Sequence, residues 1–132
     1  KIYIMRLFFL LALLFSLTSC YETTRNCKDY KTGSFRFDYT VDGIAKSGDF
    51  KRTDRYSINS YDGKIDSSEV KWINDCEFIL YKVNPVSIAE KDPIHMKILT
   101  TTDSSYTFEY GKASFNQGEK KRKEKGVAYR IN

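Results

Sequence analysis

Ser34-Phe35-Arg36-Phe37-Asp38-Tyr39-Thr40-Val41-Asp42-Gly43 is the stretch on which the fold turns. Phe35, Phe37 and Tyr39 alternate with Arg36, Asp38 and Thr40. A period of two places the rings on one face and the polar groups on the other, the pattern of a strand with one face buried. Asp42-Gly43 then supplies two residues that tolerate positive φ, so the chain reverses there as a hairpin.

The same logic extends in both directions. Ile44 to Phe50 returns as a weaker strand, and Arg55 to Tyr61 alternates Tyr56 and Ile58 with polar neighbours before a second Asp-Gly at Asp62-Gly63. Glu69 to Ile73 puts Val70 and Trp72 on one face, Asn74-Asp75 breaks the run, and Cys76 to Val83 is strongly apolar, with Phe78 and Leu80 on the face of Cys76. Asn84 to Pro93 holds both prolines, which exclude a central strand; it reads as the one long loop, with room for a helical turn over Val86 to Lys91. Ile94, Met96 and Ile98 alternate, Asp103-Ser104-Ser105 turns the chain, and Tyr106, Phe108 and Tyr110 alternate in turn. Val127, Tyr129 and Ile131 give a closing strand. About eight short strands joined by tight turns, with hardly any helical periodicity, predict an all-β antiparallel meander curled into a small barrel or strongly curved sheet. Aromatic residues make up 15% of the chain, and their strand positions assign most of them to the core. A barrel of that size is either filled by side chains or holds one small ligand, and the pattern leaves both open.

The N-terminus carries a different message. Arg6 precedes an apolar run from Leu7 to Phe15, which Ser16 interrupts and Leu17 resumes, the charged and apolar parts of an export signal. The run is half of the roughly 20 residues that a membrane span requires. Met5 is the natural start of such a signal. The boundary Leu17-Thr18-Ser19-Cys20 resembles the lipobox of bacterial lipoproteins, in which small residues precede an obligatory cysteine. That resemblance implies a diacylglycerol group on the Cys20 sulfur and cleavage before it. Residues 1–19 are then a cleaved signal helix, 20–33 an acylated tether, and 34–132 a single barrel-like domain held to membrane lipid. Tyr21, rather than an aspartate, after the cysteine fits outer-membrane retention by the same resemblance.

Charge and cysteines narrow the chemistry. Of 22 basic and 17 acidic residues, residues 1–19 carry only Lys1 and Arg6, which leaves a net charge of +3 beyond them. Glu119-Lys120-Lys121-Arg122-Lys123-Glu124-Lys125 supplies a net +3 by itself, so the rest is balanced and no surface is built for nucleic acid. Lys120, Lys121, Arg122, Lys123 and Lys125 are the candidates for contact with an anionic surface, against the plainer reading of a solvated hairpin loop. Cys27 and Cys76 remain once Cys20 is assigned to lipid, and export places them where thiols oxidise. A disulfide is the expectation. A metal site or a reactive thiol are the alternatives, weakened because His95 is the only histidine and no close cysteine pair exists.

Beyond the lipobox, Asn26-Cys27-Lys28-Asp29-Tyr30-Lys31-Thr32-Gly33, Val70-Lys71-Trp72-Ile73-Asn74-Asp75-Cys76-Glu77-Phe78 and Lys97-Ile98-Leu99-Thr100-Thr101-Thr102 resemble a family of small envelope lipoproteins of unassigned function. Relatives in it sometimes carry an inherited DNA topoisomerase IV name, which the length, the signal and the lack of a tyrosine-nucleophile domain contradict here. The family offers no catalytic residues to carry over. Trp72 to Cys76 also resembles lipocalin-like barrels, on a single tryptophan near a cysteine.

No catalytic constellation emerges from the residues. His95 sits on the strand face opposite Met96, its nearest carboxylate in sequence, Asp92, is separated by Pro93, and no nucleophile motif accompanies them. Asp75 and Glu77 read as turn chemistry and a solvated face, and Gly43, Gly48 and Gly63 as turn residues. The expectation is a non-enzymatic envelope lipoprotein, without cofactor or metal, that binds a partner protein or a small apolar ligand. A structural or assembly accessory is the alternative, and an envelope hydrolase ranks behind both.

Overall fold

A computed structural model of the chain describes residues 1–6 and 25–131; Cys20 and most of the expected signal segment lie outside them. Eight strands follow in order: β1 (Gly33–Val41), β2 (Ile44–Arg52), β3 (Tyr56–Tyr61), β4 (Lys64–Trp72), β5 (Glu77–Lys82), β6 (Ile94–Thr101), β7 (Ser105–Lys112) and β8 (Lys123–Ile131). Each pairs antiparallel with the next, and β1 pairs with β8 from Ser34↔Ile131 to Phe37↔Ala128. The sheet is therefore a closed barrel, which leaves no edge strand free to recruit another chain.

Local chemistry sets the register. Asp42 and Gly43 take φ of 51° and 77°, and Asp62 and Gly63 take 50° and 71°. Positive φ at both central residues defines the type I′ turn, whose twist matches that of the flanking strands, and the pairs Val41↔Ile44 and Tyr61↔Lys64 close directly on it. In β6 a bulge between Ile98 and Thr100 shifts the register. The extra residue lets Ile98 and Thr101, three apart, both be buried inside the barrel.

Two strands turn a different face inward from the one their apolar residues suggest. In β3, Tyr56 and Ile58 are each 41% exposed while Ser57 is buried, so the inward positions are Ser57, Asn59 and Tyr61. In β8, Val127, Tyr129 and Ile131 point out and Ala128 is buried. Pairing enforces both results. Ser57 lies opposite Arg52 and Ser68, and Ala128 lies opposite Phe37 and Tyr106, all inward positions on their own strands. Because the side-chain period is two, a strand cannot bury its larger residues without slipping the whole ladder by one. Gly48 is likewise no turn residue. It sits in mid β2 opposite Phe37, where an added Cβ would come within 2.6 Å of the ring.

The core occupies one end. Cys27, Tyr30, Phe35, Ile98, Tyr106 and Ala128 form a buried cluster, with Phe50, Cys76 and Phe108 packed against it. Tyr106 meets the Phe35 ring edge-on at 5.5 Å and the Tyr30 ring at 5.2 Å, the spacings that aromatic quadrupoles favour. Cys27 and Tyr30 belong to a 3₁₀ turn, Cys27–Tyr30, so residues 25–32 are part of the domain rather than the free tether expected for 20–33. The disulfide Cys27–Cys76 fixes this turn to the β4–β5 connection. Hydrogen bonds add to it: Arg25 Nη2 to the Ile98 carbonyl at 2.6 Å, the Asn26 amide to Thr101 Oγ1 at 2.8 Å, and Tyr30 Oη to the Thr102 carbonyl at 2.6 Å. Arg130 Nη2 also donates to the Asp29 carbonyl. The N-terminal segment thus closes the barrel at the end where β2–β3, β4–β5 and β6–β7 turn.

Candidate functional site: the barrel cavity

The other end is open. A cavity of about 530 Å³ runs inward from the mouth between β1–β2, β3–β4, β5–β6 and β7–β8 connections, within the range that holds small ligands. Small inward side chains create it. Gly48, Ser57, Asn59 and Gly126 stand where larger groups would fill an eight-stranded barrel. Phe37 lies over Gly48 and Phe108 over Gly126, each ring within 2.6 Å of where a Cβ would be. These two glycines let the rings lie flat on the wall instead of projecting into the space.

Apolar groups dominate the walls: Phe37, Phe50, Leu80, Met96 and Phe108. At the floor the lining includes Arg52, Phe78 and Tyr106. Arg52 is only 3% exposed. Its guanidinium carbon lies 4.7 Å from the Phe78 ring centre and between 5.3 and 5.7 Å from those of Phe35, Phe50, Tyr106 and Trp72. Aromatic faces attract such a cation, and desolvation strengthens the attraction. Nε donates to the Lys31 carbonyl at 2.9 Å, and Nη2 donates to the Tyr30 carbonyl at 2.5 Å and to Tyr106 Oη at 3.2 Å. Arg52 therefore joins the cavity floor to the N-terminal segment. It pairs with no carboxylate among the described residues.

Polar groups gather at the mouth. Asp66 accepts from Asn59 Nδ2 at 3.0 Å, Tyr61 Oη at 3.1 Å and Lys82 Nζ at 3.0 Å, and Lys82 reaches Glu90 at 2.9 Å. Burial works to raise the Asp66 pKa, yet the bonds from Lys82, Asn59 and Tyr61 outweigh it and hold the carboxyl below its ordinary value. Glu90 and Asp66 in turn raise Lys82, keeping it charged. Across the mouth, Tyr110 Oη donates to Glu124 at 2.7 Å; burial first, then that carboxylate, pushes the phenol up to about 12. Lys112 bridges Asp92 at 3.2 Å and Glu119 at 2.5 Å, and the Ala113 amide donates to the Pro93 carbonyl. The long loop, which contains the 3₁₀ turn Ala89–Lys91, is thereby braced against the β7–β8 connection.

Of the residues singled out from sequence, Cys27 and Cys76 are joined, while Cys20 lies outside the described residues. Lys120, Lys121, Arg122, Lys123 and Lys125 are all exposed at the open end. Lys123 pairs with Glu109 at 3.1 Å and Lys121 lies 5.7 Å from the Phe115 ring centre. His95 is on the outer face, 4.0 Å from Glu77. Asp75 bonds Lys31 at 2.8 Å whereas Glu77 faces Lys97 at 3.6 Å and Asn74 at 2.9 Å, so the two carboxylates serve separate surface contacts. Among the described residues no group of three His, Cys, Asp or Glu side chains is placed to hold a metal ion. Arg52 escapes the sequence pattern altogether. Its strand reads Lys46, Gly48, Phe50, Arg52 on the inward face, and no apolar period marks it.

These features define a class: an eight-stranded antiparallel meander barrel, closed at one end by a disulfide-fixed N-terminal turn and hollow at the other. The chain matches no protein-family profile, no curated protein and no solved structure.

Proposed function

We propose that this is a binding protein of the bacterial cell envelope, anchored through acylated Cys20, whose barrel holds a small, largely apolar ligand rather than transforming it. The observation that carries the reading is the 530 Å³ cavity with apolar walls and one open end. A binding pocket of this kind presents mostly apolar surface and a few placed polar groups, which here are Arg52 at the floor and the Asp66 and Glu124 clusters at the rim.

The proposed anchor is close in sequence to the closed end. Cys20 is five residues before Arg25, which bonds Ile98 at the closed end, and five residues span at most about 17 Å. An anchor at Cys20 would therefore hold the closed end within that reach of the bilayer and leave the mouth the more distant end. Lys120 to Lys125 belong to that far side, where they meet partners or solutes rather than the headgroups beneath the anchor. Ile65 at the start of β4 and Val86 and Ile88 on the long loop, all exposed at the open end, favour a second reading in which the rim docks a partner protein that delivers or receives the ligand.

Titration with N-phenyl-1-naphthylamine, a neutral dye that brightens in apolar surroundings, tests the cavity. The expected result is saturable binding at one site, weakened at least tenfold in Met96→Trp, whose larger side chain narrows the space. Absence of binding refutes the carrier reading. Native mass spectrometry of protein purified from its own host gives an independent view, with a co-purifying small molecule as the expected result. Replacing Cys20 by Ala is expected to release the protein from the membrane fraction, and unchanged fractionation refutes the anchor.

A further inference from the structure

We infer that the ligand of this cavity is an amphipathic organic anion, an apolar body ending in a single acidic group that seats on Arg52 and Tyr106; the inference rests on the carrier reading above. The floor holds a buried cation without a carboxylate partner among the described residues. A buried charge in a protein is ordinarily paired or neutralised. The two carbonyls and five rings around Arg52 supply dipoles and quadrupoles but no compensating charge, and its hydrogen bonds use Nε and Nη2.

Nη1 makes no hydrogen bond to any described residue, and yet it is not among atoms sealed from open space without a partner. Arg52 lines the cavity. Tyr106 repeats the pattern. Its oxygen accepts from Arg52 at 3.2 Å, and its own hydroxyl hydrogen has no acceptor among the described residues, although the side chain is buried at the same floor. Two adjacent donors, one of them charged, thus lack acceptors at the deepest part of an apolar space. Ser57 nearby has its hydroxyl directed to Asn59 Oδ1 at 3.3 Å and does not compete for the ligand.

An acidic head accepting from Arg52 and Tyr106 would neutralise the cation, while an aliphatic or aromatic body covers Phe50, Phe78 and Phe108 on the way to the mouth. The carboxylates near the rim do not oppose such a head, since Asp66 is matched by Lys82 and Glu124 is bonded by Tyr110 well above the floor. A hydrocarbon of the same shape would leave both donors unsatisfied, and a neutral hydroxyl head would accept from them without neutralising the cation.

The test displaces bound N-phenyl-1-naphthylamine with sodium decanoate or with decan-1-ol at pH 8, two chains that differ only in the head. Wild-type protein is expected to release the dye at a decanoate concentration at least tenfold below that of decanol, the advantage of charge-assisted hydrogen bonds. In Arg52→Gln the advantage is expected to fall below threefold, and in Tyr106→Phe, which keeps the cation but removes one donor, to fall at least twofold from the wild-type value. Arg52 also holds the N-terminal segment, so if Arg52→Gln fails to fold, the wild-type ratio and Tyr106→Phe decide. Equal displacement by the two competitors in wild-type protein overturns the anion site and leaves the cavity reading standing. Failure of the dye to bind overturns both.

Discussion

Removing the Cys27–Cys76 bridge should weaken the domain mostly through its unfolded state. The bridged residues are 49 apart, and closing a loop of that length removes chain entropy equivalent to about 4 kcal/mol at room temperature. The native structure has little reason to change. With both sulfurs gone, the segment remains held by Arg25 on Ile98, Asn26 on Thr101, Tyr30 on Thr102, Arg52 on Tyr30 and Lys31, and Arg130 on Asp29. Cys27→Ala/Cys76→Ala is therefore expected to fold with the same far-ultraviolet spectrum and to lose about 4 kcal/mol in urea. The slope of free energy against urea should rise, because the unlinked chain exposes more surface when it unfolds. For a domain of about 110 residues the loss corresponds to a fall in Tm of roughly 15–20 °C. Reduction of the wild-type protein should give the same shift. A loss under about 1 kcal/mol with unchanged slope would refute the reasoning, for it would mean that the unfolded chain keeps these two segments together without the bond.

Other expectations concern the faces, the cavity and pH. Phe35→Ala should cost about 3–5 kcal/mol, as for a fully buried ring, whereas Ile58→Thr on the outer face should change stability by less than about 0.5 kcal/mol; comparable losses in the two would contradict the inward face assigned to β3. Gly126→Ala forces Phe108 off the wall, since the new Cβ would stand 2.6 Å from the ring, and the ring's free direction is the cavity. Dye affinity is expected to fall by tenfold or more while Tm moves by a few degrees, and unaltered dye binding would show that the ring finds room elsewhere. Asp66 has its pKa lowered in the folded state from 3.8, so its contribution is present above that ordinary value and is lost as pH falls through the lowered one. Asp66→Asn should cost about 1 kcal/mol near neutral pH and make the stability curve below about pH 4 shallower than in wild type; parallel acid limbs would show that the Asp66–Lys82 pair does not contribute.

The sequence by itself determined the number of strands, their order and most of their faces. Phe35, Phe37 and Tyr39, Phe78 and Leu80, and Tyr106, Phe108 and Tyr110 declare their sides because each strand carries its own period of two, and Asp42-Gly43 and Asp62-Gly63 declare the hairpins through backbone freedom that few other residues possess. The pairing of Cys27 with Cys76 was expected from cysteine number and from the oxidising compartment that the proposed export signal implies. Each of these is local or compositional.

Only the tertiary structure decided which residues β3 and β8 turn inward, whether the barrel is full, and what lies at its floor. Tyr56, Ile58, Val127 and Tyr129 mark a face by size and hydropathy, but the ladder to neighbouring strands overrules them, since register is a property of the pair and not of the strand. A cavity is a missing volume, summed over eight strands, and Gly48, Ser57 and Gly126 acquire that meaning only when closure brings them around one axis. Arg52 looks in sequence like one more exposed cation. It becomes a buried charge under five rings because the N-terminal turn folds back across the closed end and offers its carbonyls, a contact between segments more than 20 residues apart that no local pattern encodes.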